Sequence, residues 1–128
     1  MPVAKNLFED VEGQSEDALQ QKCFVWYNNT YPQYRGLLFH VPNGGARNGR
    51  EAKKFSMLGV VAGVSDFIFL WRGKTHLIEL KADKGRQSDD QINWMSLVTT
   101  NGFQYYIIRS LEMFKQIITY IMHERQAD

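Results

Sequence analysis

Gly63-Val-Ser-Asp-Phe-Ile-Phe-Leu-Trp-Arg-Gly-Lys-Thr-His-Leu-Ile-Glu-Leu-Lys81 decides the fold and poses the main question about it. Two runs rich in aromatic and β-branched residues flank Arg72-Gly73, the pattern of a β-hairpin closed by a two-residue turn. With Trp71 opposite Lys74, counting outward sets Phe67 against Ile78 and Asp66 against Glu79. Side chains alternate along a strand, so Lys81 shares the face of Glu79 while Leu80 points the other way. Arg is not a favoured first residue of such a turn, and a three-residue turn would send Asp66 and Glu79 to opposite faces. Ile68 and Leu70 on one face, with Phe67, Phe69 and Trp71 on the other, mark these as central strands.

Two facing carboxylates at the edge of such a core repel unless positive charge lies between them. A hard divalent cation does this well, taking one or two carboxylates together with waters and substrate phosphate. The carbonyl of Leu80 could add a third oxygen, and the ammonium of Lys81 could orient water and steady a phosphate. A salt bridge from Lys81 to one carboxylate, with the other solvated at the strand end, accounts for the same residues equally well.

The rest of the chain sets the frame. Its 128 residues, 44% hydrophobic and 23% charged, suit one globular domain, taken as 15–124 behind an N-terminal arm, 1–14. A net charge of +1 means that any basic surface is local. The single cysteine, Cys23, is expected in the core of a protein from a reducing compartment. No signal peptide and no membrane-spanning run is recognised, so a cytoplasmic protein is expected.

Ser15-Glu-Asp opens a helix to about Asn29 along Leu19, Cys23, Trp26 and Tyr27. Gly36-Leu-Leu-Phe-His-Val41 reads as a strand bounded by Pro42-Asn-Gly-Gly45. Asn48 and Glu51 form a capping box for a helix with an apolar side of Ala52, Phe55 and Leu58, ended by Gly59. Ser88-Asp-Asp-Gln91 caps another, with Ile92, Met95 and Val98 on its apolar side and Gly102 at its end. Phe103–Ile108 is a strand, and Ser110 caps a last helix carrying Leu111, Phe114, Ile117, Ile118 and Ile121. This order predicts an α/β fold, a mixed four-stranded sheet flanked by helices.

The Asp, hairpin, Glu-x-Lys pattern resembles the PD-(D/E)xK nuclease superfamily, and more closely its virus-type replication-repair nuclease branch, the VRR-NUC domain. The matching words are His40-Val-Pro-Asn-Gly-Gly45, Leu58-Gly-Val-Val-Ala-Gly-Val-Ser-Asp66, Ile78-Glu-Leu-Lys81, Gln91 after Ser88, and Ile108-Arg-Ser110. Ser65 stands where the superfamily name has proline. The resemblance implies a restriction-endonuclease-like core, with Asp66 and Glu79 as ligands of Mg²⁺ or Mn²⁺ and Lys81 as the catalytic lysine. It also implies Glu16 as a further metal-binding acid and Gln91 as a site residue. Without it, Glu16 reads as a dipole partner at a helix start and Gln91 as a capping residue. His40 reads as a strand-end polar residue, since no second histidine is spaced to join it in binding metal.

Phosphodiester hydrolysis by such a set makes DNA the expected substrate. Asn43, Gly44 and Gly45 offer backbone N–H groups to a phosphate, or simply turn the chain. Arg47, Arg50, Lys53 and Lys54, less Glu51, give a local surplus of three positive charges, and Lys84 and Arg86 follow the Glu79 strand. These are candidate phosphate contacts, although a solvated helix face explains the first cluster as well.

Two functions fit these observations: a metal-dependent DNA endonuclease selective for branched DNA in the manner of a junction resolvase, or a non-catalytic DNA-binding or interaction module on the same scaffold. The acid, acid, lysine set is complete. Small stand-alone members of the family resembled imply a homodimer, in a bacterium or in the cytoplasm of a virus's host. Val3, Leu7, Phe8 and Val11, or Tyr120 and Met122, would be available to its interface.

Overall fold

The computed structural model describes residues 15–42 and 48–124. Two compact units are built from interleaved segments: a helix unit (the chain through Arg35, Leu80–Gly85, and from Ile108 onward) and a sheet unit (Gly36–Glu79 and Arg86–Ile107). The proposed arm, 1–14, and the Asn43-Gly-Gly45 turn with Arg47 lie outside the described residues.

In the helix unit, α1 (Glu16–Thr30) begins where Ser15 Oγ accepts a hydrogen bond from Ala18 N, with Glu16 and Asp17 at the positive end of the helix. Its buried apolar positions Leu19, Cys23 and Tyr27 are four apart and form one stripe, and Lys22 is buried beside them in sequence. The last helix, α4 (Leu111–His123), is capped by Ser110 and buries Phe114, Ile118, Ile121 and Met122. The two helices pack together, with Trp26 edge-on to Phe114 at 6.0 Å between ring centroids. Cys23 is fully buried, as its core role requires. Tyr27 donates to the carbonyl of Tyr34 at 2.7 Å, and burial is the main reason that its pKa is pushed up to about 12. Met122 is buried, so of the exposed pair expected at the end of the chain only Tyr120 is available. On this helix position 122 falls on the stripe of Phe114, Ile118 and Ile121, and position 120 falls off it.

The sheet has the order β1 (Leu38–His40), β2 (Phe67–Trp71), β3 (Lys74–Leu80), β4 (Gln104–Ile108). Leu80 and Ile108, the last residues of β3 and β4, belong to the helix unit. The first three strands are antiparallel neighbours. β4 lies beside β3 and runs parallel to it, so the sheet is mixed. Such a connection needs a crossover, and α3 (Asp89–Thr100) provides it.

The hairpin has the counted register, from Trp71↔Lys74 to Phe67↔Ile78. Arg72 and Gly73 both have positive φ, 47° and 78°, which gives the twist that a two-residue hairpin demands. Arg72 bears a backbone cost there, and its guanidinium lies over the Trp71 ring at 5.4 Å.

Burial and strand length refine the sequence reading. On β2 only the Phe67 and Phe69 face is buried, whereas Ile68 is half-buried and Leu70 exposed; β3 is buried throughout from His76 to Leu80. The strand β1 is shorter than Gly36–Val41. Helix α2 (Gly49–Met57), capped by Asn48, buries none of its residues: Ala52 is exposed, Phe55 half-buried, and Leu58, just after it, 72% exposed. In α3, Ile92 is exposed and Met95 and Val98 are half-buried. Helical periodicity marks an apolar side without fixing how much surface covers it. No described helix is long and apolar enough to cross a membrane.

Candidate active site

Asp66 lies one step beyond the Phe67↔Ile78 pair, where the same count places it opposite Glu79. Its backbone is held from β1: the Asp66 carbonyl accepts from Val41 N at 3.0 Å and from His40 Nδ1 at 2.7 Å. A carbonyl can only accept, so the His40 proton sits on Nδ1, and the residue is a strand-end polar group as its isolation suggested. Buried Ser65 donates to the carbonyl of Phe67 at 3.1 Å, so a hydroxyl shapes the bend where the superfamily name has proline. Gly63 has φ +85°, and a Cβ there would run into the backbone of Asp90 at the start of α3. The segment leading to Asp66 is therefore fixed against α3.

Glu79 is fully buried. Its Oε1 accepts two hydrogen bonds, from the Tyr105 hydroxyl at 2.7 Å and from Gln87 Nε2 at 3.2 Å. Its Oε2 is buried with no hydrogen-bond partner among the described residues. Burial first, then the hydrogen bond to Glu79, and then the charges of Glu79 and Asp66, all raise the Tyr105 pKa, so the phenol keeps its proton. Helix α3 adds Trp94, edge-on to Tyr105 at 6.1 Å, and Met95, whose sulfur accepts from Gln87 Nε2. No group of three or more His, Cys, Asp or Glu side chains lies together among the described residues.

In the helix unit, buried Lys81 forms an ion pair with the half-exposed Glu16 across 3.7 Å. The loop after Lys81 turns through Gly85 N to Ala82 O, and Arg109 Nη1 donates to the carbonyls of Ala82 at 3.1 Å and Gly85 at 2.9 Å. A Cβ on Gly85 would stand 3.1 Å from Glu16 Oε1, so this loop backbone runs close beside Glu16. Each residue of the Ile108-Arg-Ser110 stretch has a local role. The Ile108 carbonyl accepts from Lys81 N at 2.9 Å, Arg109 clamps the loop, and Ser110 caps α4. Leu80 is buried in the same unit.

Gln91 completes a reciprocal capping box with Ser88, the role that local sequence alone assigned to it. Arg50, Lys53 and Lys54 are exposed on α2, Arg86 is exposed in the sheet unit, and Lys84 is exposed in the helix unit. Tyr105, Gln87 and Arg109 were not singled out from sequence. Gln87 had a faint signal, a polar side chain in the segment after Glu-x-Lys, and Arg109 sat inside a matching motif without a role.

No curated protein matches the chain. Among solved structures, a VRR_NUC domain protein aligns with a TM-score of 0.68 at 22% identity, over 85% of this chain and 88% of that one, a likeness of fold. The VRR-NUC domain model matches residues 14–112, well over half of the sequence, with the Asp66, Glu79 and Lys81 motifs inside that span. The chain belongs to the VRR-NUC family, a family of nuclease-like domains.

Proposed function

We propose that the protein is a divalent-cation-dependent DNA endonuclease, a single catalytic domain over 15–124. The observation that carries this reading is the Glu79 carboxylate, buried in the sheet with Oε1 saturated and Oε2 bare. An unpartnered buried anionic oxygen costs at least about 1–3 kcal/mol, and a cation binding there would remove that cost. Asp66 and Glu79, both in the sheet unit, fit a hard cation by donor type, one that takes one or two carboxylates and completes its shell with water or substrate oxygens. When bound, Mg²⁺ or Mn²⁺ supplies Lewis acidity toward phosphoryl oxygens and concentrates positive charge against the transition state.

The chain's own groups supply the rest. The Lys81 ammonium, held by Glu16, donates from Nζ to a non-bridging phosphate oxygen and to the attacking water, aligning the two. Tyr105 and Gln87 keep the Glu79 carboxylate from rotating. Exposed Arg50, Lys53, Lys54, Lys84 and Arg86, with Asn43, Gly44, Gly45 and Arg47, bind phosphates without reading sequence. Gln91, which caps α3 through its box with Ser88, is a further site residue on this reading.

Branched DNA cut by a homodimer is the specific form of this reading: paired incisions on two-fold-related strands need two sites at fixed separation. The test is cleavage of labelled four-way junction, flap and linear duplex with Mg²⁺, Mn²⁺ or EDTA, alongside light scattering. Cation-dependent cutting with the junction preferred, by a dimer, is expected. Binding without cutting of any substrate would favour the non-catalytic module, and a monomer cutting flaps would remove only the resolvase form.

A further inference from the structure

The two oxygens of Glu79 are treated differently. A carboxylate oxygen has about two acceptor positions. On Oε1 both are taken, by the Tyr105 hydroxyl at 2.7 Å and by Gln87 Nε2 at 3.2 Å, while Oε2 has no partner. Neither donor is easily removed. Tyr105 is half-buried and braced by Trp94, and Gln87 is anchored from its other side by the sulfur of Met95. A cation reaching Glu79 therefore finds one oxygen offered and the other already satisfied.

From this we infer that Tyr105 and Gln87 are positioning residues that set cation selectivity, by leaving only Oε2 of Glu79 to a metal. The inference rests on the nuclease reading above and deepens it. Mg²⁺ and Mn²⁺ work in near-octahedral shells with few carboxylates, whereas Ca²⁺ takes six to eight oxygens and often both oxygens of one carboxylate. Blocking Oε1 withholds one of the oxygens that Ca²⁺ would use and takes little from the smaller ions. Releasing Oε1 also frees the carboxylate to rotate, which weakens binding of the small ions themselves; loss of such supporting partners typically costs about 10- to 100-fold in affinity.

The test is calorimetric titration of the full chain with Mn²⁺ and with Ca²⁺, for wild type, Tyr105→Phe, Gln87→Met and the double variant, with melting curves as a check on folding. Tyr105→Phe keeps the ring and its contact with Trp94, and Gln87→Met keeps the shape and loses the donor. Wild type is expected to prefer Mn²⁺, and each variant to lose about tenfold in Mn²⁺ affinity. The Mn²⁺ to Ca²⁺ ratio should fall furthest in the double variant, a change that a merely structural role would not produce. An unchanged ratio in folded variants overturns the inference while leaving the nuclease reading intact. Wild type binding neither ion, or binding Mn²⁺ with the same affinity after Glu79→Gln, overturns the metal site and this inference with it.

Discussion

Glu79 and Glu16 are acids of the same type in opposite circumstances. Glu79 is fully buried on a strand, braced by two donors on one oxygen and bare on the other. Glu16 sits in the first turn of α1, half-exposed, with its oxygen 3.7 Å from the Lys81 ammonium. The helix acid is nearly free of cost: the dipole favours it and water reaches it. The strand acid carries a desolvation cost that packing alone does not repay. Such costs collect where a site must be fixed before its ligand arrives.

The largest effect expected from this contrast is at Glu79. Glu79→Gln should abolish cation-dependent cleavage and leave DNA binding in place. Wild type at a Mn²⁺ concentration of about 100 times Kd should gain about 2.7 kcal/mol in unfolding free energy, and Glu79→Gln should gain almost none. Denaturant melts with and without Mn²⁺ read this directly. A variant still stabilised by Mn²⁺ would end the special status of Glu79.

Lys81→Ala comes next. On the nuclease reading proposed above, the lysine serves water and phosphate and not the metal, so Mn²⁺ affinity should stay near wild type while the single-turnover cleavage rate falls steeply. Calorimetry beside rapid-quench kinetics separates the two. Loss of Mn²⁺ affinity with normal chemistry at saturating Mn²⁺ would reverse the assignment.

What was legible from sequence follows the range of the interactions involved. Helix starts at Ser15, Asn48, Ser88 and Ser110 were readable because a cap is a contact three residues long. The hairpin register is readable because alternation and a two-residue turn fix it, as far as the Phe67↔Ile78 pair that Asp66 and Glu79 adjoin. The partners of Glu79 were not readable in this way. Tyr105 is 26 residues away on a parallel strand, and its hydroxyl finds Glu79 only through the β3 and β4 register. Gln87 is near in sequence, but a loop residue's direction is set by what packs around it. The apolar sides of α2 and α3 are legible as sides, but neither helix buries a residue, because amphipathicity carries no information on the depth of the covering layer.

A smaller effect tests how firmly the other strand acid is held. Gly63→Ala must either leave its positive φ or push a methyl group into the Asp90 backbone. Overpacking of this kind costs about 1–3 kcal/mol, read as a lower urea midpoint with an unchanged slope. Because the segment delivers Asp66, Mn²⁺ affinity should drop with it. A neutral substitution would mean that Asp66 is carried by the β1 contacts alone.

The smallest effect on stability should be at Glu16, and its size completes the contrast. Glu16→Gln keeps the shape, removes a charge from a half-exposed pair, and should change the unfolding free energy by no more than about 0–1 kcal/mol. Salt should shrink even that difference, since the pair is open to solvent on the glutamate side. The kinetic consequence separates two roles. If Glu16 serves by holding the Lys81 ammonium, Glu16→Gln slows the chemical step and leaves Mn²⁺ affinity close to wild type, and combining it with Lys81→Ala adds little further loss, since both changes remove one function. If Glu16 itself reaches the cation, Mn²⁺ affinity falls in the single variant, and the losses in the double variant add. Calorimetry on the single variants, with a double-mutant cycle on the single-turnover rate, decides between a helix acid that works through its lysine and one that binds the cation beside Glu79.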